Sequence, residues 1–374
     1  MRIFPYSFCR PPIMNYPEEY KLKLIAFSLS TCRNQKAKRK LIKKGITANG
    51  LSQISKRELR SLGFLDEEIT DIKDNFIKIA EDEVERSRTA NIELIFKGEE
   101  FYPPYLDEIY DPPDYIYVTG DKNLLKSEKI AIVGSRRGSS YGWLSLKHIV
   151  PDLCEGGLTV VSGMAYGIDS MAHKIAIREK GKTIGVNAGG LLHLYPAGNI
   201  GLIEKIRESG CIISEFALDV IPRPFYFPIR NRIIAGISKS VLVAEAALKS
   251  GSLITARLGL EQNKDIFAIP GRIDSPISTG TNYLIQQGAK PITSPQDILE
   301  EYGIRLERKI NTEKCKISKK EQKILDLMDI NELKSIDYFA EHVDDSISEI
   351  ISLLMGLILK NIVIEEAGGY KRIL

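Results

Sequence analysis

The sequence predicts an α/β protein built around a doubly wound parallel sheet. Three observations carry this. From Lys129 onward, short apolar runs alternate with helical stretches, at 130–134, 158–161, 183–187, 211–214, 240–245, 265–269 and 290–293. Seven strands spaced in this way imply parallel pairing through helical crossovers. The runs are near-continuously apolar, as in SVLVAEA from Ser240, which is expected when helices cover both faces of a sheet. Glycines and small residues gather at the carboxyl ends of the strands, where an open sheet of this kind forms its ligand crevice.

Taken in order, residues 1–88 are helix-patterned from 17 onward, and Ser55–Glu58 (SKRE) is a capping box that starts one of several short helices. Twelve Lys or Arg fall between Lys21 and Arg60 against one acid, Glu58. The stretch Lys36–Lys44 is the densest part of that run, and it fits either a solvated helix face or a weak, non-specific contact with a polyanion. Tyr102–Gly120, with Pro103, Pro104, Pro112 and Pro113 among tyrosines, is too irregular for a regular element and is expected to be a packed linker. The sheet occupies 89–305, and a proline-led helix at Ser294–Asp297 closes it near Gly303. A linker at 306–317 precedes a domain at 318–374. There, capping boxes at Ser318–Glu321 and Ser346–Glu349 open helices, and IVIEEAGGYKRIL forms a hairpin, the helix and hairpin order of a winged helix.

Composition narrows the function classes. The chain of 374 residues carries a formal charge of only +3, so any polyanion site must come from local placement of cations. Its five cysteines (9, 32, 154, 211, 315) are scattered without disulfide or zinc spacing, so neither a metal nor a disulfide framework is expected. No apolar run approaches the roughly 18 residues of a membrane span, and MRIFPYSFCRPP lacks the core of a secretory signal. A cytoplasmic protein without membrane contact is the expectation.

The chemistry gathers at strand ends. AIVGSRRGSSYG, from Ala131, places Gly134, Ser135, Arg136 and Arg137 after the first parallel strand, without the spacing of a dinucleotide fingerprint or a P-loop. VSGMAYGID places Ser162 and Gly163 after the second, and GGLLHLYPAGN leads to Asn199 after the third. Backbone N–H groups at such turns favour phosphate oxygens, although glycines also serve plain tight turns. In PRPFYFPIRNRIIAG, the residues Arg223, Phe225, Phe227, Arg230, Asn231 and Arg232 mix cations with rings ahead of a helix expected to begin near Asn231. That mixture suits single-stranded nucleic acid, where charge tracks the backbone and rings stack on bases; it equally fits an aromatic plug with arginines in structural ion pairs. Glu245, alone at a strand end, is expected to anchor an arginine or a helix start rather than act as a base. His173 is expected to be a packed helix residue, and Arg272 counts with the same surface.

In chain order, YPPYLDEIYDPPDYIYVTG, AIVGSRRGSSYG, VVSGMAYGIDSMAH, YPAGN, ISEF, FPIRNRIIAGIS, EAALKSGSLITA, IFAIPG and LIQQGAKPI resemble the DNA-processing protein A family (DprA, also called Smf). The resemblance covers Phe101–Ile298. It implies a Rossmann-like core that binds single-stranded DNA, forms a homodimer and loads the RecA recombinase in natural transformation, with no enzymatic activity and no cofactor. It further implies that Arg136 contacts phosphate, that the N-terminal helices form a SAM-like or helix-hairpin-helix domain, and that the C-terminal domain is a winged helix. Two departures stand out. VNAGGLLHLYP replaces the family's VLGTGLD pattern, and the third helix of the winged-helix pattern, DSISEIISLLMGLILKN, has only Lys360 as a cation. A DNA-reading helix would carry more charge, so a protein-contact or packing role is expected there. The alternative class is a nucleotide-processing hydrolase of the lysine-decarboxylase-like phosphoribohydrolase kind, whose P-G-G-x-G-T loop is absent; PGRID stands in its stead. A structural scaffold would leave the crevice arginines without a role.

Overall fold

The computed structural model describes residues 16–32, 37, 40, 41, 43–306, 317–329, 332–359, 362–366 and 368–372. Lys36, Lys38 and Arg39 of the basic stretch, the segment MRIFPYSFCRPP, most of the 306–317 linker and Lys360 lie outside the described residues. Two units follow one another, Met1–Leu306 and Glu307–Leu374.

In the first unit, α1 (Glu18–Cys32), α2 (Ala48–Leu51), α3 (Lys56–Leu62), α4 (Asp66–Asp74) and α5 (Phe76–Thr89) precede the sheet. Ser55 caps α3 through the Glu58 N–H at 3.2 Å. The Glu58 carboxylate turns to Lys44 at 2.7 Å, so only half of that capping box is made. These helices share an apolar cluster with the sheet: Ile25, Leu51 and Ile72 pack in one core with Tyr115, Tyr117 and Ile203.

The sheet has nine strands in the order β1-β2-β6-β5-β4-β3-β7-β8-β9. The seven expected strands are present as β3 (Lys129–Val133), β4 (Thr159–Ser162), β5 (Thr183–Val186), β6 (Cys211–Ser214), β7 (Ser240–Val243), β8 (Asp265–Ala268) and β9 (Lys290–Pro291). All pair in parallel. Their residues from β3 to β7 are buried throughout, as crossover helices on both faces require.

Two further strands flank these, and the second corrects the expectation that Tyr102–Gly120 is a linker. Glu93–Phe96 (β1) and Tyr115–Gly120 (β2) add antiparallel strands, β2 pairing with β6 from Tyr117↔Ser214 to Gly120↔Cys211. The prolines lie before the second strand, where Pro104 opens the short helix α6 (Pro104–Asp107), a position that needs no backbone donor. The run YIYVTG beyond them is free to pair, and its first five residues are buried.

The chain runs outward from β3 through α7 (Ser140–Glu155), β4, α8 (Ile168–Arg178), β5, α9 (Ile200–Ser209) and β6. It then returns through α10 (Tyr226–Gly236) to β7 on the opposite flank of β3, and continues through α11 (Gly251–Glu261), β8 and α12 (Thr279–Gln286) to β9. The strand order therefore reverses between β3 and β7, and the crevice of such a sheet opens beyond that point.

In the second unit, α13 (Lys319–Asp326), β10 (Leu333–Lys334), α14 (Ile336–His342), α15 (Ile347–Leu359), β11 (Val363–Glu366) and β12 (Gly369–Arg372) enclose a core around Ile324, Phe339 and Leu354. The sheet order is β10-β12-β11, antiparallel throughout. Both halves of the Ser318–Glu321 capping box are made. At the third helix Ser346 accepts the Glu349 N–H, but the Glu349 carboxylate binds Lys320 at 2.6 Å.

One carboxylate joins the N-terminal helices to the sheet. Glu83 on α5 is buried and accepts both the Tyr117 hydroxyl and the Leu218 N–H at 2.8 Å. Glu83→Ala leaves two buried donors without an acceptor and is expected to cost about 2–4 kcal/mol, whereas Tyr117→Phe should cost about 1 kcal/mol. Urea unfolding checks this, with the N-terminal helices and the sheet expected to unfold together in one transition in both variants because they share one core.

Candidate nucleic-acid interface

A crevice of about 530 Å³ opens at the carboxyl ends of β3 and β7. One wall is the loop Gly134–Arg137, the opposite wall is Ala247–Ser252 with the start of α11, and the third is α10. The first loop is held from behind. Its Ser135 N–H donates to the Glu245 carbonyl at 2.7 Å, and the Ser135 carbonyl accepts the Ile168 N–H at 3.1 Å. The start of α8 approaches so closely that a Cβ on Gly134 would lie 2.6–2.8 Å from the Ile168 side chain. The Glu245 carboxylate accepts the N–H and hydroxyl of Ser139, the N-cap of α7. It anchors a helix start, as expected for a lone acid there.

Arg136 and Arg137 are exposed, and among the described residues neither meets a carboxylate within ion-pair distance. Across the crevice the exposed Lys249 precedes Ser250, whose hydroxyl caps α11 by accepting the Ser252 N–H at 3.3 Å. Three cations and the amino end of an eleven-residue helix thus face one space, a field that attracts anions.

The third wall differs from the sequence expectation. The helix begins at Tyr226, not near Asn231; Pro228 falls in its first turn, where a missing N–H costs nothing. This earlier start places Phe227, Arg230, Asn231 and Ile234 at helical spacing on one face, and all four line the crevice. The Phe227 ring has two guanidiniums near it, Arg136 at 5.2 Å and Arg230 at 5.8 Å, with Tyr195 edge-on at 5.4 Å.

Arg230 itself is buried. Its guanidinium donates to the carbonyls of Gly163, at 2.8 Å, and Val186, tying α10 to the ends of β4 and β5. Asp169 lies near it, buried at the crevice lining, and accepts the Gly163 N–H at 3.1 Å. Burial pushes the Asp169 carboxyl up to about 6 against the pull of Arg230 and nearby N–H groups. Burial likewise brings Arg230 down to about 10, opposed by Asp169 and reinforced by Arg136. His173, packed beneath, is held down to about 3 by burial and by Arg230, and its Nδ1 meets the Thr183 hydroxyl at 2.7 Å.

The remaining candidates divide. Ser162 is buried, donating to the Ile132 carbonyl at 2.6 Å, and Gly163 is buried against Arg230. Asn199 holds the 196–199 turn to the neighbouring loop through Met164 O at 3.1 Å and Ser170 Oγ at 2.7 Å. Arg232 points away from the crevice lining, to Glu215 and to the Asp111 carbonyl at 2.6 Å. Arg223 and Phe225 line a different cleft. Arg272 is taken up by Asp274 at 2.7 Å.

The sequence profile of the DNA recombination-mediator protein A family matches residues 93–303, more than half of the chain. The chain belongs to that family. It is 44% identical over 215 residues to the DNA processing protein DprA of Bacillus subtilis, covering 57% of this chain and 72% of that protein. With Protein Smf of Escherichia coli it shares 38% over 291 residues, 76% of this chain and 78% of the relative. The X-ray structure of DprA from Streptococcus pneumoniae superposes with a TM-score of 0.59 at 34% identity, covering 78% of this chain and all of that one (100%). A DprA structure from Helicobacter pylori, described for its single-stranded DNA binding mode, gives 0.52 at 32% identity over 56% of this chain and 95% of that one.

Within the recombination-mediator core, sequence reasoning missed Lys249, Tyr195 and Asp169. Lys249 could have been found: it is the cation just before the N-cap at the strand end across the reversal from Arg136. Asp169 gave no such signal, since its meaning depends on Arg230, distant in the chain.

Gly167 sets the loop of this family core most tightly. It adopts φ +75°, and a Cβ there would lie 2.2 Å from the Ser135 carbonyl oxygen and 2.6 Å from the Arg136 carbonyl carbon. Gly167→Ala is expected to lose more than about 2 kcal/mol, from overpacking plus left-handed strain, which chemical denaturation will measure. Pro222→Ala, away from this close approach, serves as the control and should change stability far less.

Proposed function

We propose that the crevice binds single-stranded DNA through its phosphate backbone, with Phe227 as a stacking platform for a base. The observation that carries this is the set of Arg136, Arg137 and Lys249, exposed cations without carboxylate partners among the described residues, around a ring already flanked by guanidiniums. Structural arginines would be paired as Arg232 is. The relative from Helicobacter pylori, whose structure is described for its single-stranded DNA binding mode, supports the same ligand here. The role proposed is that of a binding protein: Glu245, behind the first loop, is committed to Ser139, and Asp169, the acid that lines the crevice, accepts the Gly163 N–H.

Membership of the family supports a finer reading, that the bound strand is protected and passed to the RecA recombinase during natural transformation. Association of two copies through the core is supported by an apolar cleft of about 760 Å³ at the β8–β9 side, where Leu248, Leu260 and Tyr283 are 57%, 66% and 46% exposed. Leu260→Glu is expected to shift the protein from dimer to monomer in sedimentation analysis; an unchanged dimer would place the contact elsewhere. The C-terminal unit favours protein contact over DNA, because α15 exposes Ile347, Ile351 and Met355 at helical spacing.

Salt titration tests the main reading. Removing one phosphate contact lowers the slope of log affinity against log salt by about 0.7 for single strands. Arg136→Ala with Arg137→Ala should therefore reduce the slope by about 1.4, and Lys249→Ala by about 0.7. Phe227→Leu should weaken binding by about 1–3 kcal/mol with little change in slope. Unchanged slopes in folded arginine and lysine variants would refute the phosphate assignment.

A further inference from the structure

Two tyrosines carry the rim of the crevice beyond its arginines. Tyr195, 40% exposed, meets the Phe227 ring at 5.4 Å with the two planes inclined by 68°. Tyr166, 47% exposed, directly follows Ala165, which lines the crevice. Its hydroxyl end lies over the turn just beyond Tyr195, where a Cβ on Gly198 would come within 2.4 Å of it. Asn199 ties that turn to the Tyr166 loop through the Met164 carbonyl at 3.1 Å. Both rings are therefore held on one piece of structure beyond the ends of β4 and β5, continuous with Phe227.

Neither hydroxyl is committed. The exposed Tyr141 spends its own on the Pro270 carbonyl at 2.6 Å, whereas those of Tyr166 and Tyr195 have no hydrogen-bond partner among the described residues. From Met164 to Ile168 and from Leu192 to Ile200 the chain carries no acid, so nothing in these two segments repels a phosphate chain. The alternative exit differs. Arg223 and Phe225, just before Phe227 in the chain, belong to a cleft of about 620 Å³ in which Glu68, Asp71, Glu83 and Asp219 outnumber Arg86 and Arg223. Four carboxylates there oppose a polyanion.

We propose that Tyr195 and Tyr166 are further stacking platforms, so that a single strand seated in the crevice runs on over Phe227, Tyr195 and Tyr166 with one base on each ring. The proposal rests on the DNA reading of the crevice and adds the direction in which the strand leaves it. The angle between the first two rings selects the kind of strand. Bases in a duplex lie parallel, roughly 3.4 Å apart along the axis, and cannot lie on faces inclined by 68°. Unpaired bases splay freely, and every one of them offers a face to an aromatic ring.

Fluorescence anisotropy with a labelled oligothymidylate, and photochemical cross-linking with the same oligomer carrying iododeoxyuridine, test this in the full chain. Tyr195→Leu and Tyr166→Leu are each expected to weaken binding at least about fivefold with the salt slope unchanged. Tyr195→Phe should keep wild-type affinity, because the ring and not the hydroxyl makes the contact, and all three variants should melt as the wild type does. Irradiation should join iodouracil to Tyr195 and Tyr166 as well as to Phe227, and a duplex of the same sequence to neither tyrosine. Wild-type affinity in Tyr195→Leu, or an equal loss in Tyr195→Phe, would overturn the proposal. So would cross-links at Phe227 alone, since Tyr195→Leu then acts by unseating Phe227, or cross-links at Phe225 in place of the tyrosines, which send the strand through the acidic cleft. If the wild-type protein leaves the oligomer unbound, or the Arg136 and Arg137 double variant keeps its slope, the crevice reading fails and takes this one with it. A reduced slope in that double variant beside any of the earlier contrary results sinks this one alone.

Discussion

The crevice depends on one buried guanidinium. Arg230 comes from α10, after the chain has crossed to the far flank of β3, and its guanidinium reaches the ends of β4 and β5 while Asp169 of α8 faces it. Three elements distant in the chain are thereby fixed around one charge. A buried charge is costly to desolvate, and the two carbonyls that accept from it, with the Asp169 carboxylate nearby, offset that cost. The guanidinium is best understood as setting position: its bonds to the two strand ends align the face of α10 that carries Phe227 and Asn231, and they keep a positive charge near Arg136.

That arrangement divides the arginines by task. Arg230 and Arg232 have their donors filled by carbonyls and carboxylates, and Arg272 is held by Asp274. Arg136, Arg137 and Lys249 keep theirs open to solvent. A formal charge of +3 over the whole chain is thus compatible with a locally cationic crevice and a locally acidic cleft a few residues away along one segment.

The parallel strands were legible because burial on both faces leaves continuous apolar runs, as in KIAIV and SVLV. β2 was hidden by the prolines just before it, which mask a strand that pairs with β1 ahead of them and with the distant β6. The start of α10 lies a full turn and more ahead of where the pattern suggests, because a proline in the first turn looks like an interruption. That difference mattered: it concealed that Phe227 and Arg230 share a face while Phe225 belongs elsewhere. Cations were legible as a group and not one by one. Which of them are filled is decided by carbonyls and acids brought together from separate strands, and nothing in the local pattern distinguishes Arg230 from Arg223.

The ring of Phe227 has guanidiniums of Arg136 and Arg230 near it and Tyr195 against its edge. A side chain so confined has already given up its rotational freedom during folding, so a planar ligand laid on it loses little further entropy in ordering the surface. Encounter then requires no rearrangement of the platform, its speed is governed by diffusion and charge steering, and differences among ligands are expressed in how long each one stays.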